Sequence, residues 1–264
     1  MAPHNEAHPK RRLAVLVDGD NAPPKTLQPL LAEVAKHGDI KYRRVYGDWT
    51  SPNMNGWKEA LHASAFTPVQ QFRYVSGKNS TDAALIIDAM DILYGGDVDG
   101  FCIVTSDSDY TRLATRLREG GMFVLGIGEK KTPKALVSAC DEFVYLENIA
   151  QVRKPKTAEK QAPARQAAAQ QKKGEKGDKA QEGPADIGEF EPLAVEAFES
   201  AQDEEGWATL TDVGTQLRVI SPGFDPRSYG RRQLSKLVKD TGLFEIQHPP
   251  RPGQGDIRIR LLEE

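Results

Sequence analysis

Along the first 150 residues, short runs rich in β-branched and aromatic residues alternate with longer stretches whose apolar positions fall three or four apart. The runs Leu13–Val17, Tyr42–Tyr46, Val69–Val75, Phe101–Thr105, Met122–Ile127 and Glu142–Leu146 predict strands. Between them Pro24–Lys36, Met54–Ala65, Thr81–Leu93, Tyr110–Glu119 and Pro133–Cys140 predict helices, several opening after Pro, Asn, Ser or Asp. Such alternation specifies a mostly parallel sheet covered on both faces, so a three-layer α/β/α sandwich of Rossmann-like type is expected.

The pattern changes after residue 150. Residues 151–188 hold only Val152 and Ile187 as aliphatics larger than alanine, too little to offset the entropy of ordering, and they read as a solvated linker. Beyond it come a helical stretch at EPLAVEAFESAQ, a second at WATLTDVGTQL, and a third opened by Asp-Pro and running from Pro226 to Asp240. Two alternating runs, FEIQH and IRIRLL, complete the signature of a small winged helix-turn-helix. The expected organisation is a flexible tail over residues 1–11, an α/β domain over 12–150, a linker over 151–188 and a winged-helix domain over 189–264.

Composition narrows the function classes. The net charge of −3 and pI near 6 make the protein no polycation, so nucleic-acid binding would have to come from local patches. Residues 1–150, 151–188 and 189–264 carry −2, +4 and −5 respectively. No run of about 18 apolar residues suits a membrane span, and the charged start MAPHNEAHPKRR leads into a short apolar stretch unlike a signal peptide. A cytoplasmic protein with no membrane partner is expected. Cys102 and Cys140 lie in apolar contexts and read as core residues rather than a disulfide or zinc site.

Candidate chemistry lies beyond the carboxyl ends of the predicted strands, where an open α/β sheet binds its ligands. Asp18, Asp20 and Asn21 follow the first strand, Asp107 and Asp109 follow the fourth, and Asp82 opens the third helix. Each acidic segment alone also suits a helix cap. Together they would crowd carboxylates whose mutual repulsion calls for cations, and an oxygen-only donor set selects Mg²⁺ or Mn²⁺. The five histidines are scattered and read as solvent-exposed. A water on such an ion can attack a phosphodiester while an ion steadies the leaving oxygen.

The stretches VLVDGDNAP, GDW, SGKNSTDAALIIDAMDILY, DGFCIVTSDSDYTRLATRLREGGMFVLGIGE and CDEFVYL resemble the NYN domain, of the LabA-like branch of the PIN-like nuclease superfamily, over residues 12–147. The resemblance implies a PIN-like fold and metal-dependent ribonuclease activity. It carries Asp18, Asp82, Asp107 and Asp109 over as the catalytic metal carboxylates and Asn21 as the companion of Asp18, with Asp20 open between metal ligand and cap. WATLTDVGTQL, FDPRSYGRRQLSKLV and GLFEI resemble the OST-HTH/LOTUS domain, which implies RNA binding.

Further substrate contacts are expected from Lys78, which can face phosphate or pair with a carboxylate, and from Trp49 in a loop beside Asp48, a candidate to stack an unpaired base. Arg231, Arg232 and Lys236 join Arg227 and Lys239 on the third winged-domain helix as its basic face. Asp88 and Asp91 should turn to solvent. The resulting expectation is an endoribonuclease using Mg²⁺ or Mn²⁺ on single-stranded or structured RNA, with the winged module a loosely tethered recruiter; a homodimer is compatible with it. The alternatives are a non-catalytic RNA-binding regulator with a structural metal pocket and, less fitting because Asn21 follows DGD, a phosphatase of the haloacid-dehalogenase type.

Overall fold

The structure, a computed structural model, describes residues 10–72, 80–151, 185–249 and 255–262. In chain order the first domain comprises β1 (Arg11–Asp18), α1 (Leu27–Val34), β2 (Gly38–Gly47), α2 (Trp57–Ser64), β3 (Thr67–Gln70), α3 (Ser80–Gly95), β4 (Gly100–Val104), α4 (Thr111–Glu119), β5 (Phe123–Gly128), α5 (Lys134–Ala139), β6 (Glu142–Tyr145) and α6 (Leu146–Gln151). All six strands are parallel, in the order β3-β2-β1-β4-β5-β6. The three-layer expectation holds. β1 extends back to Arg11, inside the tail expected over residues 1–11, and the part of the third predicted strand beyond residue 72 lies outside the described residues.

Strand periodicity sorts the side chains into two cores. Leu13, Val15, Val17, Cys102 and Val104 face α1, α2 and α6, packing against Leu30, Trp57 and Ile149. Ala14, Leu16, Phe101 and Ile103 face α3, α4 and α5, packing against Leu85, Leu117 and Leu136. By the same alternation, Asp18 at the end of β1 and Thr105 just past β4 fall on the side of α3 and α4. The two cysteines are buried and unpaired, as expected.

The second domain contains α7 (Ile187–Ala201), β7 (Ala208–Thr209), α8 (Leu210–Ile220), α9 (Leu234–Thr241), β8 (Phe244–Gln247) and β9 (Arg258–Leu261). Its sheet is antiparallel in the order β7-β9-β8, a wing beside the helices. Thr209 caps α8 by accepting the Asp212 amide, a local reason for that helix to start there. Phe190, Phe198, Val213, Leu217, Leu237 and Ile259 form a core of its own.

One expectation fails here, and most of the expected linker lies outside the described residues. The third winged-domain helix is not continuous: a short turn at Pro226–Tyr229 ends at Gly230, whose φ of 72° breaks the helix, and α9 resumes only at Leu234. Arg231 and Arg232 therefore sit in the bend rather than on a helical face. The module also touches the first domain, the Phe143 amide donating to the Pro222 carbonyl at 2.8 Å.

Candidate active site

The strand order reverses between β1 and β4, and the crevice beyond their carboxyl ends is where such sheets bind ligands. Asp18 closes β1 there, fully buried. It accepts from Asn21 Nδ2 at 2.6 Å, from the Thr105 hydroxyl at 3.1 Å and from the Asp20 amide at 3.2 Å. Gly19 follows because a side chain has no room: a Cβ would stand 2.7 Å from the Tyr46 carbonyl oxygen.

Thr105 links the two central strands. Its hydroxyl donates to Asp18 and accepts the Asp107 amide at 3.1 Å. Asp107 caps the short turn that follows, accepting the Asp109 amide at 3.0 Å, so the capping role and the place in the crevice belong to the same residue. The next helical turn, Pro24–Thr26, has Pro23 at its N-cap and no side-chain cap bond. Ser106 accepts the Glu129 amide at 2.8 Å and ties the neighbouring loop in place.

Asp82, in the first turn of α3, accepts from the hydroxyl of Tyr110 at 2.7 Å. Tyr110 is fully buried, and burial with the nearby Asp18 carboxylate pushes its phenol far above the ordinary range, so it stays a donor. Burial raises the Asp82 carboxyl, against the Tyr110 hydrogen bond, and the charges of Asp107, Asp109 and Asp20 add to the rise. Burial likewise raises Asp18, with Asp82 contributing. The acids of all three segments thus share one electrostatic environment.

The expected cage of converged carboxylates is a correction: among the described residues no three His, Cys, Asp or Glu side chains come close enough to clasp an ion. Mg²⁺ keeps several waters and binds through one or two carboxylates, so the oxygen-only donors of this crevice fit a hard divalent cation without such a cage.

Other candidates fall elsewhere. Trp49 is half-buried, its indole nitrogen donating to the Val69 carbonyl at 2.9 Å. Lys78 lies outside the described residues. Asp88 is not solvent-facing: Arg44 and the buried Tyr46 hydroxyl both donate to it. His37 is not exposed either, with its side chain at 15%. Arg231 pairs with Asp240, while Arg232 and Lys236 stand exposed. Sequence reasoning missed Thr105 and Tyr110, although both flank the SDSD stretch that it singled out.

The NYN domain family model matches residues 12–147, just over half of the chain. The chain belongs to the NYN family. An OST-HTH/LOTUS domain matches residues 189–255, and the NYN fold is that of PIN-like nucleases. Among solved structures, a protein of unknown function from Vibrio parahaemolyticus is 19% identical with a TM-score of 0.45, covering 55% of this chain and 96% of its own. An uncharacterized protein from Nitrosomonas europaea is 29% identical with a TM-score of 0.25, covering 40% of this chain and 94% of its own. No curated protein matches. No helix among the described residues of this NYN protein is long and apolar enough to cross a membrane.

Proposed function

We propose that this NYN protein is a divalent-metal-dependent ribonuclease whose OST-HTH domain binds the RNA. The observation that supports the reading is the placement of Asp18, Asp107 and Asp109 just past the two central strands at the strand-order switch, with Asp82 in the first turn of α3. The carboxyls of Asp18 and Asp82 are raised chiefly by burial, with Asp82 adding to the rise of Asp18 and Asp107, Asp109 and Asp20 to that of Asp82.

One or two of those carboxylates at a time, with water completing the shell, would hold Mg²⁺ or Mn²⁺, which when bound would supply an acidified water and charge stabilisation at the leaving oxygen. The protein's own residues prepare the crevice for it. Asn21 and Thr105 fix the orientation of Asp18, and Tyr110 fixes that of Asp82. Lys78, four residues before Asp82, is assigned to the scissile phosphate. In the OST-HTH domain Arg232 and Lys236, exposed near the start of α9, are assigned to the RNA backbone, with Arg231 beside them. Trp49, half-buried, is assigned to an unpaired base.

The test is cleavage of labelled single-stranded RNA with Mn²⁺ by the unsubstituted protein, Asp18→Asn and Asp107→Asn. Both variants should lose at least about a hundredfold in rate, the scale of removing a preorganised charge from such a site. Equal cleavage by all three would refute the mechanism. The spacing of the acids among the described residues, no three of them close enough to share an ion, favours one second reading, a non-catalytic RNA-binding protein. Filter binding indifferent to chelation, with no cleavage under any metal, would support that reading instead.

A further inference from the structure

Arg227 is turned inward. Its guanidinium lies 17% exposed between two carboxylates from different domains. It reaches Glu33 of α1 through both terminal nitrogens, at 3.2 and 3.0 Å, and Asp225 through Nε at 2.8 Å. Lys36 adds a contact to Glu33 at 2.7 Å, which brings the network to neutrality. Burial alone would raise the Glu33 carboxyl, but the hydrogen bonds from Arg227 and Lys36 hold it below its ordinary range.

The surrounding contacts are equally specific. The Phe143 amide on β6 donates to Pro222, and the wholly buried Asn148 of α6 donates to the Ser228 hydroxyl at 2.9 Å. Gly223 lies so close that a Cβ there would stand 3.0 Å from the Tyr145 hydroxyl and 3.1 Å from Val137 Cγ1. Arg218 of α8 reaches Glu142 at 3.5 Å. Fork-like guanidinium pairing repays its desolvation only where the geometry is held, and here half of that geometry belongs to each domain.

We propose that the OST-HTH domain is docked on the NYN domain rather than loosely tethered to it. The segment from Pro222 to Ser228 seats on α1, β6 and α6, and the Glu33–Arg227–Asp225 network locks it there. The seat lies where Arg11 opens β1 and Glu142 opens β6, at the opposite ends of the parallel strands from the carboxylate crevice, so whatever the OST-HTH domain holds reaches the crevice from a fixed direction. The inference goes beyond the nuclease reading and does not depend on it.

The test needs the full chain alone. Spin labels go on cysteines introduced at exposed positions, Lys58→Cys in the NYN domain and Glu199→Cys in the OST-HTH domain. Native Cys102 and Cys140 are buried and leave the labelling to those sites. Docking gives one narrow distance distribution by pulsed electron resonance, whereas a free tether of this length would spread it over roughly 35 Å. Glu33→Lys removes the partner of Arg227 while leaving its local pair with Asp225, and Gly223→Trp wedges the contact without charge; each should broaden the distribution with far-ultraviolet circular dichroism unchanged. A broad distribution in the unsubstituted protein, or a narrow one that survives either substitution, overturns the proposal. No RNA or metal enters the measurement, so its outcome stands apart from that of the cleavage assay.

Discussion

Replacing Tyr110 by phenylalanine removes one oxygen and leaves the ring in its core among the residues under α3 and α4. What is lost is the 2.7 Å hydrogen bond to Asp82. A hydrogen bond to a charged group contributes about 1.5–3 kcal/mol net. Asp82 keeps some contact with solvent and can recover part of that through water, which places the loss in the lower half of the range, about 1.5–2 kcal/mol. With a urea m-value of about 2 kcal/mol/M, the midpoint of the NYN transition should fall by roughly 0.8–1 M at unchanged m. Trp49 and Trp57 lie in the NYN domain and report the transition by fluorescence. A midpoint within about 0.2 M of the unsubstituted protein would refute the argument that this phenol holds Asp82, because the same m-value converts that shift to under about 0.5 kcal/mol.

Gly19→Ala should destabilise by about 1–3 kcal/mol, since the new methyl meets a backbone oxygen that cannot rotate away; urea midpoints check it, and an unchanged value would contradict the close packing of β1 on β2. Mn²⁺ at about a hundred times its Kd should add about 2.7 kcal/mol to the stability of the NYN domain, seen as a higher melting temperature that Asp82→Ala abolishes. Burial lowers the His37 imidazole pKa, helped by Arg218 and Lys36 and opposed by Glu142 and Glu33, so the native state binds its proton less readily than the unfolded one. Stability should therefore fall as pH drops through the ordinary histidine range near 6.5 and level off below the native value; an NMR titration of His37 with its midpoint at or above about 6.5 would be the contrary result.

Much of the NYN domain was legible because its strands carry side-chain patterns that only one layering can bury. The runs at Leu13–Val17 and Phe101–Thr105 lie within or across the central pair β1 and β4, and all five predicted helices are present. The acids of the crevice could be named because they follow those runs directly. Thr105 and Tyr110 were not, since a hydroxyl between two strands gains its role from contacts about 87 and 28 positions away in sequence, which no local pattern carries. Asp88 was misjudged for the same reason: helical spacing placed it away from Asp82 but could not reveal Arg44 and Tyr46 waiting on β2. In the second domain the helical periodicity of the Pro226–Asp240 stretch concealed the left-handed Gly230, and a row of basic residues concealed that Arg227 belongs to an internal contact.

The position of β1 also governs the order in which the molecule can be completed. A nascent chain emerges from its amino terminus at about 5–20 residues per second, and β1 can pair early with β2, its partner about 27 residues on. Its other neighbour, β4, is made some 87 residues later. Until then one side of β1 is bare and Asp18 lacks its threonine partner, so the carboxylate crevice cannot be completed before β4 and the residues just after it have been made.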